Sequence, residues 1–72
     1  MTKYTAIFEQ SGDGTWAGHV ADLPGVLGMG DTLDRAKRSV QEAIGYWIDD
    51  MTERGQSVPA PSIHALGIEV SG

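Results

Sequence analysis

The sequence predicts an α+β fold of order β-β-β-α-β, an antiparallel sheet with one helix packed on one face. Three features carry the prediction. Residues 3–30 alternate with period two and are interrupted by turn chemistry, residues 33–51 repeat at steps of three and four, and residues 63–70 alternate again. A chain of 72 residues makes one domain, spanning 1–72. A fold of that size buries roughly 60% of its unfolded surface, so a second copy or a partner adds useful burial.

The first strand is "KYTAIFEQ" (3–10), with Tyr4, Ala6 and Phe8 on one side and Thr5, Ile7 and Glu9 on the other. "SGDG" (11–14) ends it with hairpin chemistry, since Gly12 and Gly14 can take the positive φ that a tight reversal needs. "TWAGHVAD" (15–22) sets Trp16, Gly18 and Val20 against Thr15, Ala17, His19 and Ala21, and its small residues admit close approach by another element. Pro24 in "DLPG" fixes its own φ and removes a donor, which makes a turn. "VLGMG" (26–30) then leaves room for a short third strand in a meander.

Leu33, Ala36, Val40, Ala43, Ile44, Trp47, Ile48 and Met51 form one stripe of a helix about six turns long. Asp31 is expected as its N-cap, Asp34 at the N3 position, and Gly55 as the residue that closes its C-terminus. Arg35, Lys37 and Arg38 near the start and Asp49, Asp50 and Glu53 near the end oppose the helix dipole, while Asp34–Arg38 and Asp50–Arg54 have the favourable i,i+4 order. "QSVPAPS" (56–62) runs extended over the surface, and "IHALGIEV" (63–70) is expected to form the last strand.

Composition narrows the function. Five basic residues against ten acidic ones give a net charge of -5, the wrong sign for a domain that grips nucleic acid by its phosphates and a suitable one for a basic partner. With no cysteine there is neither a disulfide framework nor a thiolate metal site, as suits a reducing compartment. No stretch approaches 18 uninterrupted apolar residues, and "MTKYTAIFEQ" lacks the basic start and apolar run of a signal peptide. The expectation is a soluble cytoplasmic protein with no membrane contact.

"GVLGMGDTLDRA" (25–36) raises the question of a phosphate cradle, because glycines lead into a helix start. Its spacing is G-x-x-G-x-G rather than G-x-G-x-x-G, Lys37 lies well inside the helix, and Asp31 and Asp34 would compete for the amides a phosphate needs. These glycines are therefore read as structural. His19 and His64 fall on different predicted strands with no carboxylates at ligand spacing, so no metal and no cofactor are expected. Pairing either histidine with Ser11, Ser57 or Ser62 for catalysis would need a convergence that the sequence does not show. Asp49 and Asp50 diverge by about 100° on a helix and suit a solvated face. Trp47 belongs to the core stripe. Tyr46 lies opposite it among carboxylates, either an ordinary surface aromatic or an anchor for a basic partner.

The order of signals, "YTAIFEQ", "SGDGTW", "ADLPGVLGMGDTLDRA", the amphipathic helix and "VPAPS" after "RG", resembles the HicB family of antitoxins across residues 4–62. The resemblance rests on the "DLPG" signature, the "GDT" helix start and the P-x-P exit. It implies a domain like a truncated ribonuclease H fold that binds HicA, a small basic toxin that cleaves messenger RNA, and blocks it by occlusion. Many members also carry a C-terminal DNA-binding segment. None follows within these 72 residues, so no direct DNA binding is expected.

The leading expectation is a non-catalytic antitoxin for a HicA-like toxin, acting as a homodimer or higher homo-oligomer. The alternatives are an orphan interaction module with another partner, and a metal-dependent nuclease if the ribonuclease H likeness is taken literally. The expected partner-binding residues are Asp13, Trp16, Asp22, Leu23 and Pro24, with Tyr46 and its acidic neighbours second.

Overall fold

The computed structural model describes residues 3–71. Three antiparallel strands, β1 (Ala6–Gln10), β2 (Trp16–Val20) and β3 (Leu27–Gly30), form a meander in the order β1-β2-β3 and are followed by one helix, α1 (Leu33–Glu53). The α+β class and the packing of the helix on one sheet face are as the periodicities predict. Among the described residues no helix is long and apolar enough to cross a membrane.

The β1–β2 hairpin closes with a type I turn and a glycine bulge. Ser11 N–H donates to Thr15 O at 2.9 Å, Gly14 N–H donates to Ser11 O at 3.0 Å, and Gly14 takes φ +92°. Gly12 keeps a negative φ, so one of the two glycines meets the conformational demand of the loop. Between β2 and β3, Val26 N–H donates to Leu23 O at 3.1 Å with Gly25 at φ +90°, the type II arrangement that proline followed by glycine favours.

Two registers decide how the helix sits. Gly18 pairs with Gly28, and Gly30 follows opposite Trp16, so three positions on one sheet face lack side chains. A Cβ added at Gly28 would stand 2.5 Å from the backbone nitrogen of Val40, and one at Gly30 would stand 2.5 Å from that of Ala36. The helix backbone thus lies directly on β3, and Ala36 and Val40 are sealed from solvent there. The buried cluster is small: Val20 from β2, Leu23 and Val26 from the turn, and Val40 from the helix, with Tyr4, Phe8, Ile44, Trp47 and Val58 packed around it.

The helix begins one residue later than expected. Thr32, not Asp31, is the N-cap: its Oγ1 accepts from Arg35 N–H at 3.1 Å, while Asp31 pairs with the Arg35 guanidinium at 3.2 Å. Asp34 therefore occupies N2 rather than N3. Thr32 and Asp31 can both cap, and the contact of Gly30 with the first helical turn sets which one does. At the other end Gly55, at φ +70°, donates to Thr52 O and Gln56 donates to Met51 O, the paired bonds of a Schellman ending. Asp50 and Arg54 form their i,i+4 pair at 3.3 Å, whereas the pair near the start is Asp31–Arg35 in place of Asp34–Arg38. Both pairs are exposed and contribute little.

The last predicted strand does not form. Residues 63–70 are extended but join no ladder among the described residues, and Leu66, Ile68 and Val70 are about four-fifths exposed or more. Alternation supplies a strand's side chains, but the backbone bonds must come from a neighbouring edge. The segment before it is held at three points. Tyr4 OH donates to Pro59 O at 2.6 Å, Thr5 Oγ1 to Ile63 O at 2.7 Å, and the Asp22 carboxylate accepts from both Ser62 N–H and Ser62 Oγ. Those Ser62 bonds, side chain first, hold the Asp22 carboxyl below its usual range.

These contacts can be tested by substitution and by acid. Gly28→Ala forces the helix off β3 and should cost about 1–3 kcal/mol in urea unfolding. Gly45→Ala, in the helix where an added Cβ meets nothing within 4 Å, should stabilise by about 0.5–1 kcal/mol. A group whose pKa is lower in the folded state stabilises above its unfolded value, and that contribution is lost as pH falls through the folded value. The Asp22 tie should therefore be complete at neutral pH and weaken below about pH 4. Backbone relaxation should show Ser62 loosened by acid, or at neutral pH by Asp22→Ala, while the β1–β2 ladder stays ordered.

Candidate functional site

The turns place the expected contact residues at two ends of the sheet. Asp13 lies in the β1–β2 loop, and Asp22, Leu23 and Pro24 lie in the β2–β3 turn. The five residues of β2 separate them by about 17 Å. Trp16 starts β2 on the helix-facing side with Gly18 and Val20, and is partly buried. Tyr46 is 76% exposed on the helix, beside Trp47, whose Nε1 donates to Pro24 O at 3.1 Å. Tyr46 is therefore close in chain to the residue that ties the helix to the "DLPG" turn, while Asp13 and Trp16 belong to the opposite end.

Several of these residues have structural partners inside the chain. Leu23 is fully buried, which contributes about 1.5–3 kcal/mol and locks the turn to the core. Asp22 holds Ser62. Asp13 Oδ1 accepts from Ser11 Oγ at 2.6 Å and from Thr15 N–H at 2.9 Å, and these bonds, that of Ser11 foremost, lower its pKa. Pro24 contributes its carbonyl to Trp47 and keeps its ring side exposed. Both carboxylates retain lone pairs for a cationic partner, since each is anionic and neither is deeply buried.

The face of the sheet away from the helix is not among the expected contact surfaces. Register stacks Ile7, His19 and Leu27 in one row and Glu9, Ala17 and Met29 in the next. Leu27 is 69% exposed and Met29 64%, an apolar surface with no element over it among the described residues. A shallow hollow of about 290 Å³ opens beside the hairpin, lined by Glu9, Gln10, Asp13, Ala17 and Met29 among others. The signal was available: the alternation that puts Ala6, Phe8, Gly18 and Val20 under the helix puts these residues on the other side.

This face spans the distance between the two turns. Asp13 borders this face at the hairpin hollow, and the Asp22–Pro24 turn lies at the other end of β2, tied to the helix through the Pro24 carbonyl. That arrangement suits protein recognition, an apolar centre with a polar rim. Among the described residues no three His, Asp or Glu side chains are gathered so as to hold a metal ion.

Comparison with known proteins places this geometry. Residues 4–68 match the family model described as HicB_like antitoxin of bacterial toxin-antitoxin system. A protein of Synechocystis sp., named UPF0150 protein ssl0738, is 39% identical over 51 residues, covering 71% of each chain. The matched stretch takes in all three strands, the "DLPG" turn, the helix and the tail as far as Ile68. This chain belongs to the HicB-like antitoxin family.

Proposed function

We propose that this chain neutralises a HicA-like, mRNA-cleaving toxin by covering it, as a non-catalytic cytoplasmic binder that forms a homodimer or higher homo-oligomer. The family match over residues 4–68 carries the proposal. The net charge of -5 supports it, because a toxin that binds RNA presents a basic surface and an acidic partner gains association rate and complementarity. The open sheet face supports it as well, offering Leu27 and Met29 between acidic ends.

The toxin-facing surface in this proposal is the open face with Asp13 at one end and Asp22 and Pro24 at the other. Leu23 acts from within by holding the corner, and Trp16 by shaping the hairpin end. Tyr46 and its acidic neighbours on the helix are the second surface. Asp13 and Asp22 also hold turns, so reversing their charge mixes folding with binding, and exposed positions give a cleaner test.

The test is co-expression with a HicA-like toxin encoded beside this chain, followed by co-purification. The proposal expects growth rescue and a stable complex. Met29→Asp should weaken capture about tenfold or more with the helix content unchanged. Absence of both rescue and complex overturns the antitoxin role. Capture lost with Tyr46→Ala and kept with Met29→Asp moves the contact to the helix.

A further inference from the structure

The tail beyond Ile63 and the edge of β1 are each incomplete in a complementary way. Leu66, Ile68 and Val70 share one side of an extended segment and are 80%, 77% and 87% exposed. Three apolar side chains on one side of an extended strand, all in water, are a surface built to be covered.

The sheet has two outer strands, and one is already closed. At β3 the Met29 N–H donates to Ser39 Oγ at 3.2 Å, and the helix lies against the strand through Gly28 and Gly30. β1 pairs with β2 on one side and with no strand on the other among the described residues. Its unpaired ladder groups are a template for an added strand. The helix overhangs this edge, and a groove of about 380 Å³ opens there between Lys3, Tyr4, Gln41, Ile44 and Ile48. A strand added to β1 would turn one set of its side chains into that groove, alongside the half-buried Tyr4, Ala6 and Phe8.

The shape of the chain shows that the tail leaves its own body. A compact chain of this length has a radius of gyration of about 11 Å. The observed value is 14.1 Å, and the longest dimension is 50 Å against 28 and 19 Å for the other two. The tail is held as far as Ile63 and then leaves the body rather than folding back on its own sheet. We infer that residues 64–70 of one copy add as a fourth strand to the β1 edge of a second copy, seating Leu66, Ile68 and Val70 in the groove under α1, and that the exchange is mutual.

Mutual exchange gives a closed two-fold dimer in which both β1 edges are paired, the isologous arrangement that limits open-ended assembly. It employs an edge and a groove, leaving the open sheet face free. The joint names the contact of the proposed homo-oligomer without resting on the toxin proposal, so either can fail alone.

The experiment is light-scattering mass determination on the full chain and on the double variant Leu66→Asp with Ile68→Asp. The wild type should have twice the 7.7 kDa chain mass and the variant 7.7 kDa, with equal helix content by circular dichroism because both side chains are solvent-exposed in the isolated chain. Isotope-filtered NOEs on a mixture of labelled and unlabelled wild-type chain should place residues 64–70 of one copy against residues 4–10 of another. A monomeric wild type, a variant that stays dimeric, or tail-to-β1 NOEs confined within one chain would each overturn the proposal.

Discussion

The close approach of the α1 backbone to β3 at Gly28 and Gly30 sets the rest of this structure. A side chain at either position would meet helix backbone at 2.5 Å, and backbone cannot turn aside as a flexible side chain can. With the helix so close, Ala36 and Val40 suffice to seal the space above the glycines, and a core of few large residues becomes adequate. The same contact fixes where the helix starts, so that Thr32 rather than Asp31 caps it, and brings Ser39 to the outer edge of β3. Because α1 is committed to one sheet face, the other face carries Leu27 and Met29 in the open.

The "DLPG" turn is the second fixed point. It sends Leu23 and Val26 into the core, receives Trp47 through the Pro24 carbonyl, and holds the tail through Asp22. The segment that looks most like a recognition signature is therefore also the mechanical joint of helix, sheet and tail. In the proposed complex, a partner pressing on this corner would meet a fixed geometry. Pre-organisation of this kind lowers the ordering cost of binding.

How much could be read from residues alone follows from which interactions are local. The three strands, the hairpin glycine Gly14, the type II turn at Gly25 and the Schellman glycine Gly55 each answer to short-range sequence chemistry, and all stand where expected. Trp47 was legible as a core residue from its helical phase, though its bond to Pro24 was not. The N-cap missed by one residue because Asp31 and Thr32 both cap well and a tertiary contact decides between them. Residues 63–70 have the pattern of a strand and lack the neighbour that would make them one. For the candidate site, the placement of the expected residues on the hairpin loop and the "DLPG" turn was legible. The open face was not, because it emerges from the register of three strands and from the lack of a covering element among the described residues.

The structural role expected of the glycines in "GVLGMGDTLDRA" takes the form of a backbone contact with the helix, and the contact can be observed without perturbing the chain. Proton NOE spectroscopy on the wild-type protein should show strong cross-peaks from the Gly28 Hα protons to the Val40 amide and from the Gly30 Hα protons to the Ala36 amide, since each approach brings backbone against backbone. Absence of both pairs, with the two glycines showing NOEs to side-chain protons alone, would mean that the helix stands off the sheet and would contradict the account at its base.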